Sequence, residues 1–141
     1  MTRFQFGCVL GFALSAMGAA QAQDLTTPEG ARMIHGTIKD QILAFRQDGD
    51  SDFIYLTAIL AWRCGIKRLT YSVNDDPMAL EFPLEPCHRD LRDPNSFDGA
   101  LSFPIYLKVP VGSIAKMTLH VVYDDGAKVD FPAERAKNLI K

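Results

Sequence analysis

The fold class is decided by residues 117–131, MTLHVVYDDGAKVDF. Apolar side chains recur at every second position from Met117 to Tyr123, which is the pattern of a strand with one buried face. Asp125-Gly126 follows where a tight turn is needed, and glycine supplies the positive φ of such a turn. The sequence therefore predicts a hairpin whose second strand runs through Lys128 to Phe131.

The same alternation extends upstream. Residues 69–73, 80–84 and 103–109 carry strand patterns separated by turns rich in Asn, Asp, Pro and Gly. Residues 53–62 are apolar on every side, so periodicity cannot separate a buried strand from a buried helix. Their aromatic and β-branched content favours a strand, although Arg63 and Gly65 would also suit the end of a helix. We predict strands from about residue 53 to residue 131.

A helix is predicted over about 28–46. Thr27 and Pro28 form a typical helix start, and apolar residues then recur at helical spacing from Ile34 to Phe45. The predicted fold class is α+β and mostly β. An N-terminal helix is followed by a small antiparallel sheet or an immunoglobulin-like β-sandwich.

The first 22 residues have the layout of a cleaved secretory signal peptide. Arg3 precedes an apolar run from Phe6 to Ala20. The small residues Ala20 and Ala22 then lie just before an expected cleavage site after Ala22. This run is shorter than the ~20 residues that a membrane-spanning helix requires. An uncleaved anchor or a buried helix is the alternative. We expect residues 23–141 to form one periplasmic or secreted domain with no membrane span.

Two cysteines, Cys64 and Cys87, remain after the expected cleavage, since Cys8 lies in the signal. An even number of cysteines in an exported protein usually forms disulfides. A disulfide between Cys64 and Cys87 would close the intervening chain into a loop and remove unfolded-chain entropy worth roughly 3 kcal/mol. A metal site is the alternative, but Cys64, Cys87 and His88 lack the spacing of a paired zinc knuckle. We therefore predict a disulfide and no metal site.

The formal net charge of the 141-residue chain is −2, without any block of like charge. Nucleic acids and anionic membrane surfaces attract clustered Lys and Arg side chains. Neither is therefore expected as a partner.

Two stretches of sequence match part of a known motif but lack the other residues that the motif requires. His88-Arg89-Asp90-Leu91 with Asn95 fits a protein-kinase catalytic loop, but no phosphate-covering glycine loop or magnesium-binding Asp-Phe-Gly is present. Residues 48–52 begin like a calcium loop. Phe53 and Ile59 stand where that loop needs glycine and glutamate. Both runs are interpreted as polar loops or turns, and we expect no catalytic residue and no cofactor.

Four residues are candidates for contact with a partner. His88, Arg89 and Arg92 lie on a polar loop that Cys87 would attach to the sheet, and loops on rigid scaffolds often carry binding residues. Trp62, the single tryptophan, lies two positions before Cys64. Packing in the core and stacking against a partner are the two interpretations of this ring.

The leading hypothesis is a non-catalytic exported binding or accessory module that acts on a protein partner in the cell envelope. It would present a sheet edge or the loop to that partner. The alternative is a small exported ligand carrier or enzyme with an apolar pocket between the helix and the sheet. A purely structural envelope protein is a third possibility.

Overall fold

The computed structural model describes residues 24–100 and 102–141, so the expected signal peptide lies outside the described residues. Its helices and strands are, in chain order, α1 (Pro28–Thr37), β1 (Ala44–Asp48), β2 (Ser51–Tyr55), α2 (Thr57–Leu60), β3 (Ile66–Val73), β4 (Leu80–Glu81), β5 (Tyr106–Pro110), β6 (Lys116–Tyr123), β7 (Lys128–Glu134), α3 (Arg135–Asn138) and β8 (Leu139–Ile140). A short 3-10 turn, Lys39–Gln41, follows α1.

The strands form two four-stranded sheets. The first has the order β5-β2-β1-β8 and the second has the order β4-β3-β6-β7. All neighbouring strands are antiparallel except β1 and β8. The protein is therefore mostly β with few helical residues, as the sequence predicts.

One buried hydrophobic cluster receives side chains from both sheets and from α1 and α2. Strand β6 contributes through its alternate positions, because every second residue from Met117 to Tyr123 is buried. Phe45 and Ile54 enter from the first sheet and are fully buried. The two sheets are thus stabilised by removing one shared set of apolar side chains from water.

The predicted hairpin at 117–131 is confirmed. Strands β6 and β7 pair from Lys116↔Glu134 to Val122↔Lys128, and Gly126 adopts a φ of 85° in the connecting turn. The Gly126 N–H donates to the Tyr123 carbonyl at 2.9 Å, which closes the turn. The pattern was decisive here because one face of β6 is buried and the other is not.

The helix prediction over 28–46 is wrong in its extent and position. Helix α1 ends at Thr37, and it is internal to the chain rather than N-terminal. Its start is as expected, since the Thr27 side chain accepts a hydrogen bond from the Gly30 N–H at 3.1 Å. Ile42 and Phe45 are fully buried. They lie after the helix, because residues 44–48 instead gain hydrogen bonds by pairing with β2.

The strand prediction over 53–62 is correct only as far as Tyr55. The Leu56 N–H donates to the Ile105 carbonyl at 2.9 Å, and the chain then turns into α2. Leu60 N–H donates back to the Leu56 carbonyl at 3.0 Å. Ile54, Leu56, Ile59 and Leu60 are buried, and the other residues of 53–62 are half-buried. Because apolar side chains occupy both faces of the segment, its composition did not distinguish a strand from a helix.

Gly65 links α2 to β3 in a conformation that other residues rarely adopt. Its φ is +96°, and a Cβ there would lie 2.8 Å from backbone atoms of Thr27 and Pro28. Gly126 has a similar φ of +85° but no heavy atom within 4 Å of an added Cβ. The two glycines therefore separate backbone strain from steric overlap.

We predict that Gly65→Ala destabilises the protein more than Gly126→Ala does. Gly126→Ala should cost about 1 kcal/mol from its positive φ alone. Gly65→Ala should cost about 1–3 kcal/mol more, because the backbone before α1 must move. Urea denaturation of both variants measures the difference. Equal losses would show that the approach of Gly65 to Thr27 and Pro28 relaxes without cost.

Candidate functional site

The candidate site is built on residues 85–98, which we call the pinned loop. This segment follows β4 and contains turns but no helix or strand. A disulfide joins Cys87 to Cys64 at the start of β3, so the predicted pairing is confirmed. A covalent link to the sheet restricts how far the loop can move.

The buried side chain of Arg63 forms hydrogen bonds to the same loop from the interior of the protein. Arg63 is 1% exposed, and its guanidinium lies 5.4 Å from the centre of the Phe97 ring. Its shortest hydrogen bond, 2.6 Å, runs from Nη1 to the Asn95 carbonyl. Each of its three nitrogens donates to backbone carbonyls, which belong to Leu60, Glu85, Pro86, Asn95 and Ser96. The guanidinium therefore replaces the backbone pairing that the loop lacks.

Glu85 is the anion that balances Arg63. Its Oε1 atom lies 3.1 Å from Arg63 Nη2 in an ion pair that water barely reaches. The same oxygen accepts from His88 Nε2 at 2.7 Å and from the Asp98 N–H at 2.7 Å. Burial lowers the pKa of the Arg63 guanidinium, and the carboxylates of Glu85 and Asp93 oppose that effect. One carboxylate thus joins both ends of the loop to the buried cation.

Asn95 fastens the middle of the loop to β3. Its Oδ1 atom accepts from the Cys64 N–H at 2.8 Å, and the residue is 9% exposed. Sequence reasoning missed Arg63, Glu85 and Asn95. Arg63 carried one usable signal, because a cation directly after an apolar run needs either solvent or several acceptors.

The structure separates the four candidate contact residues into different roles. His88 is half-buried and bonded to Glu85, so it helps to shape the loop. Arg89 and Arg92 are exposed, and neither forms an ion pair with any residue of the two described ranges. Trp62 is half-buried and does not belong to the hydrophobic cluster. The two arginines are therefore the most exposed members of this set.

A second buried polar contact joins α1 to β6. His35 Nδ1 lies 2.8 Å from the Tyr123 hydroxyl, and His35 is fully buried. His35 Nε2 has no hydrogen-bond partner among the described residues. Burial lowers the pKa of His35 to about 4, opposed by the nearby carbonyls of Ile59 and Trp62. Because no solute reaches this imidazole, the contact is structural.

A surface groove of about 420 Å³ lies between the end of α1 and β7. Most of its lining residues are exposed, including Lys39, Asp40 and Asp130. Nearer the core, the space under α1 is filled by Ala31 and His35, both fully buried. The groove gives no specific support to the alternative of an apolar ligand pocket between helix and sheet.

In residues 24–100 and 102–141, no group of three or more His, Cys, Asp or Glu side chains could hold a metal ion. Within the same part of the chain, no helix has the length and apolar character needed to cross a membrane.

Comparison of the chain with protein-family models, with curated proteins and with solved structures finds no match.

We predict that Arg63→Met destabilises the protein by about 3–5 kcal/mol, because it leaves the Glu85 carboxylate buried without its cation. Trypsin should then cleave rapidly after Arg89 or Arg92, since the loop loses its attachment. Arg68→Met is the matched control. The exposed Arg68–Glu81 ion pair should contribute less than about 1 kcal/mol. Slow cleavage of the loop in Arg63→Met would contradict this account of the attachment.

We also predict that His35 makes stability fall between pH 6.5 and pH 4. Its folded pKa of about 4 lies below the ordinary 6.5, so the unfolded chain binds more protons in this range. The loss at pH 5 relative to pH 7 should be about 2 kcal/mol. Urea midpoints at these two pH values measure it. His35→Gln, which does not titrate, should lose most of this dependence; an unchanged slope would assign it to other groups.

Proposed function

We propose that this protein is a non-catalytic exported binding module that presents the pinned loop to a protein partner in the cell envelope. One observation carries the proposal. A loop without regular secondary structure is held by a disulfide and a fully bonded arginine, while Arg89 and Arg92 on it are exposed and form no ion pair within the described part of the chain. A loop ordered before binding loses little conformational freedom when a partner arrives.

The composition of the loop surface supports a protein partner. Leu91 lies between Arg89 and Arg92 in the sequence and is 49% exposed. Phe97, whose ring lies against the Arg63 guanidinium, is 37% exposed. Arginine and aromatic side chains are enriched where proteins bind each other. Asp90 and Asp93 lie among the arginines, so the loop carries no large net charge that would favour a nucleic acid.

Export and the finer architecture belong to the same proposal. The pattern of residues 1–22 and the disulfide both support a periplasmic or secreted location. N-terminal sequencing of the protein from its host should give Gln23 as the first residue. The shared hydrophobic cluster supports an immunoglobulin-like sandwich of the two sheets, a proposal that an experimental structure would test.

The loop proposal predicts that Arg89→Ala/Arg92→Ala weakens partner binding at least about tenfold while the melting temperature stays unchanged. The tagged protein and the variant would be expressed at native level in the host, cross-linked and recovered. Quantitative mass spectrometry would compare the stoichiometric partner in the two samples. The arginines lie outside the Arg63–Glu85 network, so the fold should not change.

Lys39→Ala/Lys128→Ala is the matched control. It removes two exposed cations that lie outside the loop and form no ion pair in the described part of the chain. Loss of the partner only in the arginine variant supports the loop as the contact surface. Equal recovery of the partner with both variants would remove the loop from the account.

A further inference from the structure

Three aromatic rings gather on the outer face of the first sheet, away from the pinned loop's attachment network. Phe53 and Tyr55 project from β2, and Tyr106 projects from β5. The ring centres lie 5.3 Å apart for Phe53–Tyr106 and 5.7 Å apart for Tyr55–Tyr106. Tyr106 is 42% exposed. Such a cluster offers apolar contact area with little side-chain freedom to lose.

Two cations lie over the same cluster. Arg46, Phe53 and Lys108 are directly opposite each other across three strands. The Arg46 guanidinium lies 5.8 Å from the Phe53 ring centre, and Lys108 Nζ lies 5.5 Å from it. Arg46 is 3.5 Å from the exposed Asp48 carboxylate, whereas Lys108 has no carboxylate partner in the described residues. This face is therefore complementary to an anion next to Lys108.

Strand β5 is the edge of the first sheet, so one side of its backbone is unpaired by any described strand. Hydrogen bonds at the two ends of the β2–β5 ladder run from the Leu56 N–H to Ile105 and from the Val111 N–H to Asp50. Along an antiparallel ladder, residues whose backbone N–H and C=O groups point toward the neighbouring strand alternate with residues whose groups point away from it. The N–H and C=O groups of Tyr106 and Lys108 must therefore face the free edge.

Prolines limit this edge to a short segment. Pro104 and Pro110 have no N–H to donate, so only the groups between them can pair with a full antiparallel ladder. An apolar cavity of about 320 Å³ lies at the start of the strand, lined by Phe103, Pro104, Ile105 and Tyr106. A strand added here would find backbone donors, a cation and an apolar recess in succession.

We propose that β5 binds an extended acidic segment of a protein partner as an added antiparallel strand. The segment would place a carboxylate opposite Lys108 and an aromatic side chain opposite Tyr106. Its intervening apolar residues would lie beside Leu107 and Val109, which already pack against the core. The inference rests on the proposed function, because it specifies how the partner is held.

A second copy of the chain fits this edge less well. Antiparallel self-pairing centred on Lys108 would place that lysine opposite itself, and like charges directly opposite each other are destabilising. A carboxylate in the same position is stabilising. Charge complementarity thus favours a different, acidic chain.

The test uses the acetylated and amidated peptide Thr-Val-Glu-Val-Phe-Thr with the isotope-labelled protein. The amide signals of Tyr106 and Lys108 should shift saturably. A peptide with Lys in place of Glu should bind about fivefold more weakly, since the charge pair changes sign. Lys108→Glu should reverse this preference, and Lys128→Glu on β7 should leave it unchanged.

The backbone geometry has its own matched control. In the proposed register the N–H of the peptide's glutamate faces β5, so methylating that nitrogen should abolish binding. Methylating the nitrogen of the preceding valine, whose N–H faces away, should be tolerated. Three outcomes would overturn the proposal. The shifts could occur at amides remote from β5 instead of along it, both methylations could have equal effects, or concentration-dependent self-association could cause the same shifts.

Failure here is distinguishable from failure of the proposed function. If the host partner is lost from Arg89→Ala/Arg92→Ala but fully retained by Lys108→Glu, and the acidic peptide does not bind, the edge inference is wrong and the loop proposal stands. If the peptide binds as expected while the arginine variant keeps its partner, the edge inference stands and the loop is not the contact surface.

Discussion

The buried contact between Arg63 and Glu85 is the constraint on which the irregular part of this protein depends. Residues 82–100 and 102–105 contain no helix or strand, so their backbone groups need other partners. Arg63 supplies donors in a fixed planar arrangement, and Glu85 supplies the acceptor for His88 and Asp98. Without this pair the loop would keep the disulfide and the hydrogen bond from the Cys64 N–H to Asn95 Oδ1, but it would lose the attachment of both its ends to the buried cation.

A buried ion pair is weak evidence for stability, because removing two charges from water is costly. The pair in this protein has a different physical role. Four of the six atoms that accept from Arg63 are loop carbonyls, so the guanidinium selects one loop conformation among many. Removing one partner is therefore expected to cost far more than the intact pair contributes over an apolar replacement.

The sequence could predict elements whose two faces differ in polarity, and it failed where both faces are apolar. The hairpin at 117–131 was predictable because β6 alternates and Gly126 marks the turn. Residues 53–62 are apolar on both faces, so nothing local marked the change from β2 to α2. The disulfide followed from the expected export and from the two cysteines that remain after cleavage of the signal peptide. The Arg63 network was not predictable, since its acceptors on the loop lie more than twenty residues away along the chain.

Hydrogen bonds of Asp98 connect the end of the pinned loop to the residues that precede β5. The loop ends at Asp98, whose N–H is held by Glu85 at 2.7 Å. Asp98 also accepts from the Ala100 N–H at 3.1 Å and from the Ser102 hydroxyl at 2.9 Å, which turns the chain toward β5. Because these bonds favour its carboxylate form, the pKa of Asp98 is lowered. The bonds of Asp98 therefore connect the ordered loop to Ser102, four residues before β5 begins at Tyr106, and a partner contacting both surfaces would span this short connection.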